Sequence, residues 1–212
     1  MKLREQAYDA FTENLLARQI SPGQFISQRE LVALTGMSLG AVREMIPRLE
    51  ADGLIRTVAQ RGLQVMNVDM ELIRNAFQLR IILEREAIRH FVTVVSDEEI
   101  AALRTAHEQA RADAVSGVTP DVLARAQQTD WDFHDRIIDM LGNELIKTIY
   151  RTNAIKVRLI RNDDTRMLPE LAVSVMDEHL AIIKAIESRA PEAAEAALLA
   201  HLTSAKHRAV RI

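Results

Sequence analysis

Asp130 and His134 stand one helical turn apart in the stretch QQTDWDFHDRIID (127–139), among residues of core type. A carboxylate removed from water without a partner is costly, so a buried one is matched by a counter-charge, a hydrogen-bond network or a metal ion. The chain holds histidines at 90, 107, 134, 179, 201 and 207, and helical spacing sorts them. Leu123, Asp130, His134, Ile137 and Leu141 share one stripe; Val175, His179, Ile182, Ile183 and Ile186 share another; Ala194, Ala197, Leu198, His201 and Ala205 share a third. His207 falls off its stripe, and His90 and His107 find no comparable inward partners. His179 precedes Ala190 by eleven residues and His201 follows it by eleven. If two helices turn at Ala190, both histidines lie about 16 Å from the turn and meet at one level. Asp130 and His134 join them if their helix packs beside that hairpin. Three imidazoles and a carboxylate suit a divalent transition metal, Zn²⁺ first with Ni²⁺ or Mn²⁺ as alternatives, and leave coordination positions for a small molecule. The competing arrangement is a buried Asp–His network without metal. Asp132 and Asp135 lie off the stripe and outside the set.

The chain of 212 residues has no cysteine, which excludes disulfides, cysteine nucleophiles and thiolate metal sites. At 48% hydrophobic it can build ordinary packed cores, in one or two domains. No apolar run approaches the ~20 residues that span a bilayer, and MKLREQAYDA lacks the apolar stretch of a signal peptide, so a cytoplasmic protein with no membrane partner is expected. The net charge of −3 is uneven: residues 1–66 carry eight Lys/Arg against seven Asp/Glu, the remainder nineteen against twenty-three. Bulk charge gives nucleic-acid binding only faint support, confined to the N-terminal third.

The elements that must position these groups can be read from periodicity and caps. A first helix covers 4–19, with Ala7, Phe11, Leu15 and Leu16 on one face, and ends at Ser21-Pro-Gly. Ser27-Gln-Arg-Glu30 has the form of a capping box for a second helix; Gly36 breaks the pattern, and Ser38 caps a third that runs to Asp52 and stops at Gly53. Leu54–Val58 and Leu63–Val68 read as a hairpin around Ala-Gln-Arg-Gly. After that strand signals vanish, and six helices follow at 69–92, 96–115, 119–141, 143–161, 168–188 and 191–210, with short connections. The fold class is mainly α: an N-terminal winged helix-turn-helix with a small β-hairpin wing over 1–68, then an all-α antiparallel helical bundle over 69–212.

In a winged helix-turn-helix the second helix of the turn lies in the major groove. Here that helix starts at Ser38; Val42, Ile46 and Leu49 can seat it on the core while Arg43 points elsewhere. Ser38 at the helix start is placed for a phosphate, Arg29 begins the preceding helix, and Arg61-Gly62 at the wing tip could enter the minor groove. A lone Arg is ordinarily a solvated charge; placement together at helix starts and a wing tip favours DNA.

The segment PGQFISQRELVALTGMSLGAVREMIPRLEADGLIRTVAQRGLQV (22–65) resembles the N-terminal domain of GntR-family transcription regulators, whose pattern includes PG, ERELA, a Ser-led VRE helix, RLE, DGL and a wing ending in RG. The resemblance puts Arg29, Ser38, Arg43 and Gly62 on DNA-contacting positions. Two departures stand out: Leu39-Gly40-Ala41 follows the Ser where many members have polar residues, and Pro47 sits inside the recognition helix, where it removes a backbone bond and favours a kink. Leu39, Gly40 and Ala41 could contact thymine methyls or allow close approach. Residues 69–210 resemble the FCD domain of the FadR subfamily, in its six-helix VanR-like branch, with DWDFH, EHLAIIKAI and AEAALLAH matching its metal-ligand segments. Asp130, His134, His179 and His201 then occupy the ligand positions. Leu79-Arg80 and Glu84 match a family segment that makes Arg80 the clamp for an acidic effector; a plain i,i+4 pair between Arg80 and Glu84 is the alternative. Gly142-Asn143 matches a motif near the effector cavity, which adds Asn143.

The resemblance implies a homodimeric, ligand-responsive regulator on an inverted-repeat double-stranded DNA operator, a repressor released by a small organic or sugar acid acting as carboxylate effector. The alternatives are a metalloenzyme fused to a DNA-binding head, or a regulator whose metal is purely structural. Against an enzyme, there is no Glu-x-x-His pair of the di-iron bundle kind and no evident general base beside the four ligands.

Overall fold

The computed structural model describes residues 2–163 and 169–210. The chain runs α1 (Leu3–Leu16), β1 (Phe25–Ile26), α2 (Gln28–Thr35), α3 (Leu39–Ala51), β2 (Ile55–Val58), β3 (Gly62–Val65), α4 (Met70–Val94), α5 (Asp97–Ser116), α6 (Pro120–Asp139), α7 (Glu144–Asp163), α8 (Pro169–Glu187) and α9 (Pro191–Val210). The mainly α class holds, with a winged head followed by a helical bundle. The expected start of α8 at Leu168 lies outside the described residues.

Local chemistry sets most of these boundaries. The Ser27 hydroxyl accepts from the Glu30 amide at 3.2 Å while the Glu30 carboxylate accepts from the Ser27 amide at 2.6 Å, a reciprocal cap for α2. Ser38, Asp69, Ser96 and Thr119 cap α3, α4, α5 and α6 by the one-sided version of this bond, side chain to backbone amide. Gly36 ends α2 in the left-handed conformation at φ 67°, which a side chain would strain. Pro47 lies inside α3, yet the helix continues across it to Ala51.

The wing holds the expected hairpin, β2 paired with β3, and gains a third strand. Its sheet has three strands in the order β1-β3-β2, all antiparallel, because the two-residue β1 pairs Phe25 with Gln64 and Ile26 with Leu63. Gly62 permits this approach: at φ 93° its missing Cβ would stand 3.3 Å from the Ile26 carbonyl oxygen.

The head core gathers Phe11, Leu15, Leu31, Val42, Leu49 and Leu63, and one member comes from far away: Leu159 on α7, fully buried there. A bundle core built on Ile88, Phe91, Phe133, Ile137, Ile182 and Leu198 is separate from it. In the bundle α4 packs on α9 and α7, α5 on α8 and α6, and α8 on α9. Among the described residues no helix is long and apolar enough to cross a membrane.

Candidate metal centre

The structure brings Asp130 and His134 of α6, His179 of α8 and His201 of α9 together, all buried, with one donor atom of each within 4.8 Å of the others. His179 Nε2 stands 3.2 Å from Asp130 Oδ1 and 3.3 Å from His201 Nε2. The level matching of His179 and His201 about Ala190 is therefore realised, since α8 and α9 pack against each other.

The outer face of each imidazole decides what the inner face offers. His134 Nδ1 lies 2.7 Å from Glu84 Oε2, and His201 Nδ1 lies 2.7 Å from Glu178 Oε2. A carboxylate only accepts, so both rings carry their proton on Nδ1 and turn a bare Nε2 inward. The third ring is set at one remove. His107 Nδ1 lies 2.7 Å from the Leu103 carbonyl oxygen, which also only accepts, so His107 Nε2 is bare and receives the proton of His179 Nδ1 at 3.1 Å. His179 Nε2 is then bare as well. Burial pushes His134 and His107 down to about 4, with Arg80 adding to the effect on His134 and His179 to that on His107. Burial and His179 likewise hold His201 well below the usual histidine range. These three rings are neutral near pH 7.

Three bare nitrogens thus face one carboxylate oxygen at close range, and His134 Nε2 has no hydrogen-bond partner among the described residues. Such a set fits a cation. Asp130, His134, His179 and His201 would each supply one donor to it. A neutral Asp–His network fits less well, because the protons are already spent on the outer partners.

Those partners form a scaffold, buried at Glu84 and part-exposed at Glu178. Burial would raise the Glu84 carboxyl, but Arg80 and His134 outweigh it and hold it at about 2. Glu84 accepts from Arg80 Nε at 2.5 Å and from the Tyr150 hydroxyl at 3.1 Å. Glu178, similarly held at about 2 by His201 and Arg208 against its burial, receives both ends of the Arg208 guanidinium at 2.8 and 3.0 Å. Arg80 makes the i,i+4 pair, and its terminal nitrogens make no hydrogen bond among the described residues. Arg80 and His134 line a small cavity with Trp131, Asp135, Tyr150, Asn153 and Arg158. Its volume of about 20 Å³, counted as room for the centre of a water molecule, holds one water.

Asn143 is not in this cavity. It is exposed, and its Oδ1 accepts from the Leu145 and Ile146 amides at 3.0 and 3.2 Å, capping α7, while Gly142 at φ 62° closes α6. The motif Gly142-Asn143 is a helix-to-helix turn in this chain. His107 is the opposite correction: it is buried at 1% exposure and belongs to the site. A signal for it exists in the sequence, since Ile100, Leu103, His107, Ala110 and Ala114 form a stripe. Glu84, Glu178 and Tyr150 escape sequence reasoning as scaffold because each acts across helices.

In the head, Arg29, Ser38, Arg43, Arg61 and Gly62 are all exposed. Arg43 Nε donates to Gln28 Oε1 at 3.1 Å, which draws it toward the start of α2 beside Arg29. The Arg61 guanidinium lies 3.9 Å over the Phe25 ring at the wing. Of the three residues after Ser38, Leu39 and Gly40 are exposed, whereas Ala41 is buried at 5% and unavailable to a thymine methyl.

Residues 3–65 match the model of the bacterial regulatory proteins of the gntR family, and residues 75–204 match the FCD domain. The chain belongs to the gntR family and carries an FCD domain. This gntR-type regulator is 29% identical to the Nta operon transcriptional regulator of Aminobacter aminovorans over 185 residues, covering 85% of this chain and 82% of that protein. It is 26% identical to the transcriptional repressor NanR of Citrobacter rodentium, covering 96% and 84%. The solved structure of E. coli McbR/YncC shares the fold with a TM-score of 0.76 at 16% identity, over 96% of this chain and 95% of that one. The protein is a DNA-binding transcription regulator of the GntR/FCD type, and its FCD domain holds a buried Asp–His₃ group able to take a metal ion.

Proposed function

We propose that the protein is a metal-dependent repressor that leaves its operator when a small carboxylic acid binds beside the metal. The observation that carries this reading is the set of three imidazoles whose outer bonds all turn a bare Nε2 toward Asp130. Asp130, His134, His179 and His201 would hold a divalent ion, Zn²⁺ before Ni²⁺ or Mn²⁺. Bound there, the ion supplies a positive charge with open positions for an anionic oxygen. Arg80, fixed through Nε by Glu84, keeps its terminal nitrogens for a carboxylate in the cavity. Tyr150 and Asn153 wall the same cavity from α7, and α7 also sends Leu159 into the head core. An acid that enlarges the cavity therefore presses on the helix that supports the head.

On the DNA side, Arg29, Ser38, Arg43, Arg61 and Gly62 would meet an inverted-repeat operator, two heads to a homodimer. Exposed Ile82 on α4 and exposed Leu145 and Ile149 on the adjoining α7 offer an apolar face for the second copy. Repression rather than activation agrees with the name of the NanR relative.

The test titrates a panel of small carboxylic acids against metal-loaded protein, reading thermal shift and release of operator DNA. Binding of one acid with release of DNA is expected, and Arg80→Ala should abolish the response. His179→Ala and His201→Ala should each lose the metal in equilibrium dialysis; metal retained at parental affinity would remove the assignment. Turnover of an acid would make the protein an enzyme, and metal binding without any acid response would make the ion structural.

A further inference from the structure

Asp135, Ala154 and Arg158 line two spaces at once: the small cavity beside Arg80, and a cleft of about 380 Å³ between α7 and the head that also includes Arg48 and Arg151. These three residues are the wall between them. Arg158 lies with its guanidinium 4.6 Å over the Trp131 ring and donates from Nη2 to Asp135 Oδ2 at 2.8 Å. The pair is part-exposed, at 23% and 39%, and an ion pair in that setting is weak and readily exchanged for another carboxylate. Trp131 Nε1, buried without a hydrogen-bond partner among the described residues, adds an unused donor to the indole on which Arg158 rests.

The cavity admits one water, so an organic acid of several heavy atoms needs part of the lining to move, and this wall is the part held by a part-exposed ion pair. Ala154 has nothing to move; Arg158 and Asp135 do. Asp135 turned into the cleft enters a space lined by Arg151, whose own contact with Asp139 is long at 4.0 Å. Arg158 turned from Asp135 keeps its seat on the indole and is left with a free fork of donors. Arg80 already offers terminal nitrogens to one carboxylate, so the opened cavity holds two guanidiniums facing one ligand.

We propose that Arg158 is the specificity-determining residue of the effector site: it exchanges Asp135 for a second acidic group on the ligand, which makes the effector a dicarboxylate. This rests on the reading that an acid binds beside Arg80. The experiment measures Kd by calorimetry on full-length, metal-loaded protein for three matched pairs, succinate with butyrate, glutarate with pentanoate and adipate with hexanoate. At least one diacid should bind about ten- to a hundredfold tighter than its monoacid, the range for a charge-assisted hydrogen bond. Arg158→Gln should erase that advantage, so that each diacid binds no tighter than its monoacid. Asp135→Asn, which removes the competing partner, should tighten the diacid a few-fold more than the monoacid. If Arg158→Gln fails to fold, Asp135→Asn carries the test. Equal binding of both acids in the parent, or an equal change for both in Arg158→Gln or in Asp135→Asn, overturns the assignment while leaving the acid-responsive reading intact. If neither class binds, both fall together.

Discussion

Glu84 is the residue on which most of the site depends, because it is fully buried and serves Arg80, His134 and Tyr150 at once. Glu84→Gln would leave the Arg80 guanidinium buried without its counter-charge and His134 without a carboxylate. The expected cost is about 3–5 kcal/mol in denaturant unfolding, and metal affinity should fall roughly ten- to a hundredfold. A second expectation concerns pH. His107 and His134 sit at about 4 in the folded protein against an ordinary 6.5. Between those values the unfolded chain binds more protons than the folded one, so the metal-free protein should lose stability as pH falls from about 6.5 to 4. Glu84 and Glu178, held at about 2, extend the loss below 4.5. Thermal melts at pH 7, 5.5 and 4.5 should show a falling Tm; a flat profile would mean that the buried rings are not neutral. Asp130, His134, His179 and His201 are legible in the sequence because their stripes and their distances from a turn are local arithmetic. Glu84 as a scaffold is not, since its partner His134 lies fifty residues away on another helix.

Among the elements, α7 does two things. Tyr150, Asn153 and Val157 face the cavity, and Leu159 completes the head core. Leu159→Ala should destabilise the protein by about 2–5 kcal/mol, and it should weaken operator release by an acid more than it weakens acid binding itself. Equal losses in both would detach α7 from signalling. The helices are readable for the reason that caps and periodicity involve neighbours: Ser27 with Glu30, Ser38 with Ala41, Asp69 with Leu72. The two-residue β1 is not, because its only pairing is with β3, about forty residues on. Gly142-Asn143 carries the look of a site motif, and in the structure it ends one helix and begins the next.

At the scale of the whole molecule, charge and composition suggest little beyond a head and a bundle, and nothing local in sequence announces that the two share a side chain. The proposed division at residues 68 and 69 cuts the chain at a short connection, yet it does not divide the cores. Arg18 reaches the Leu159 carbonyl at 3.4 Å, and the Leu159 side chain belongs to the head core that also holds Phe11 and Leu15 of α1, the helix on which α7 packs. A fragment ending at residue 68 would be born with a leucine-sized hole, while the remaining fragment would hold that leucine out in water. The head is thus finished by a piece of chain synthesised some ninety residues after it, so during translation it should stay loosely packed, and open to proteolysis, until α7 has emerged.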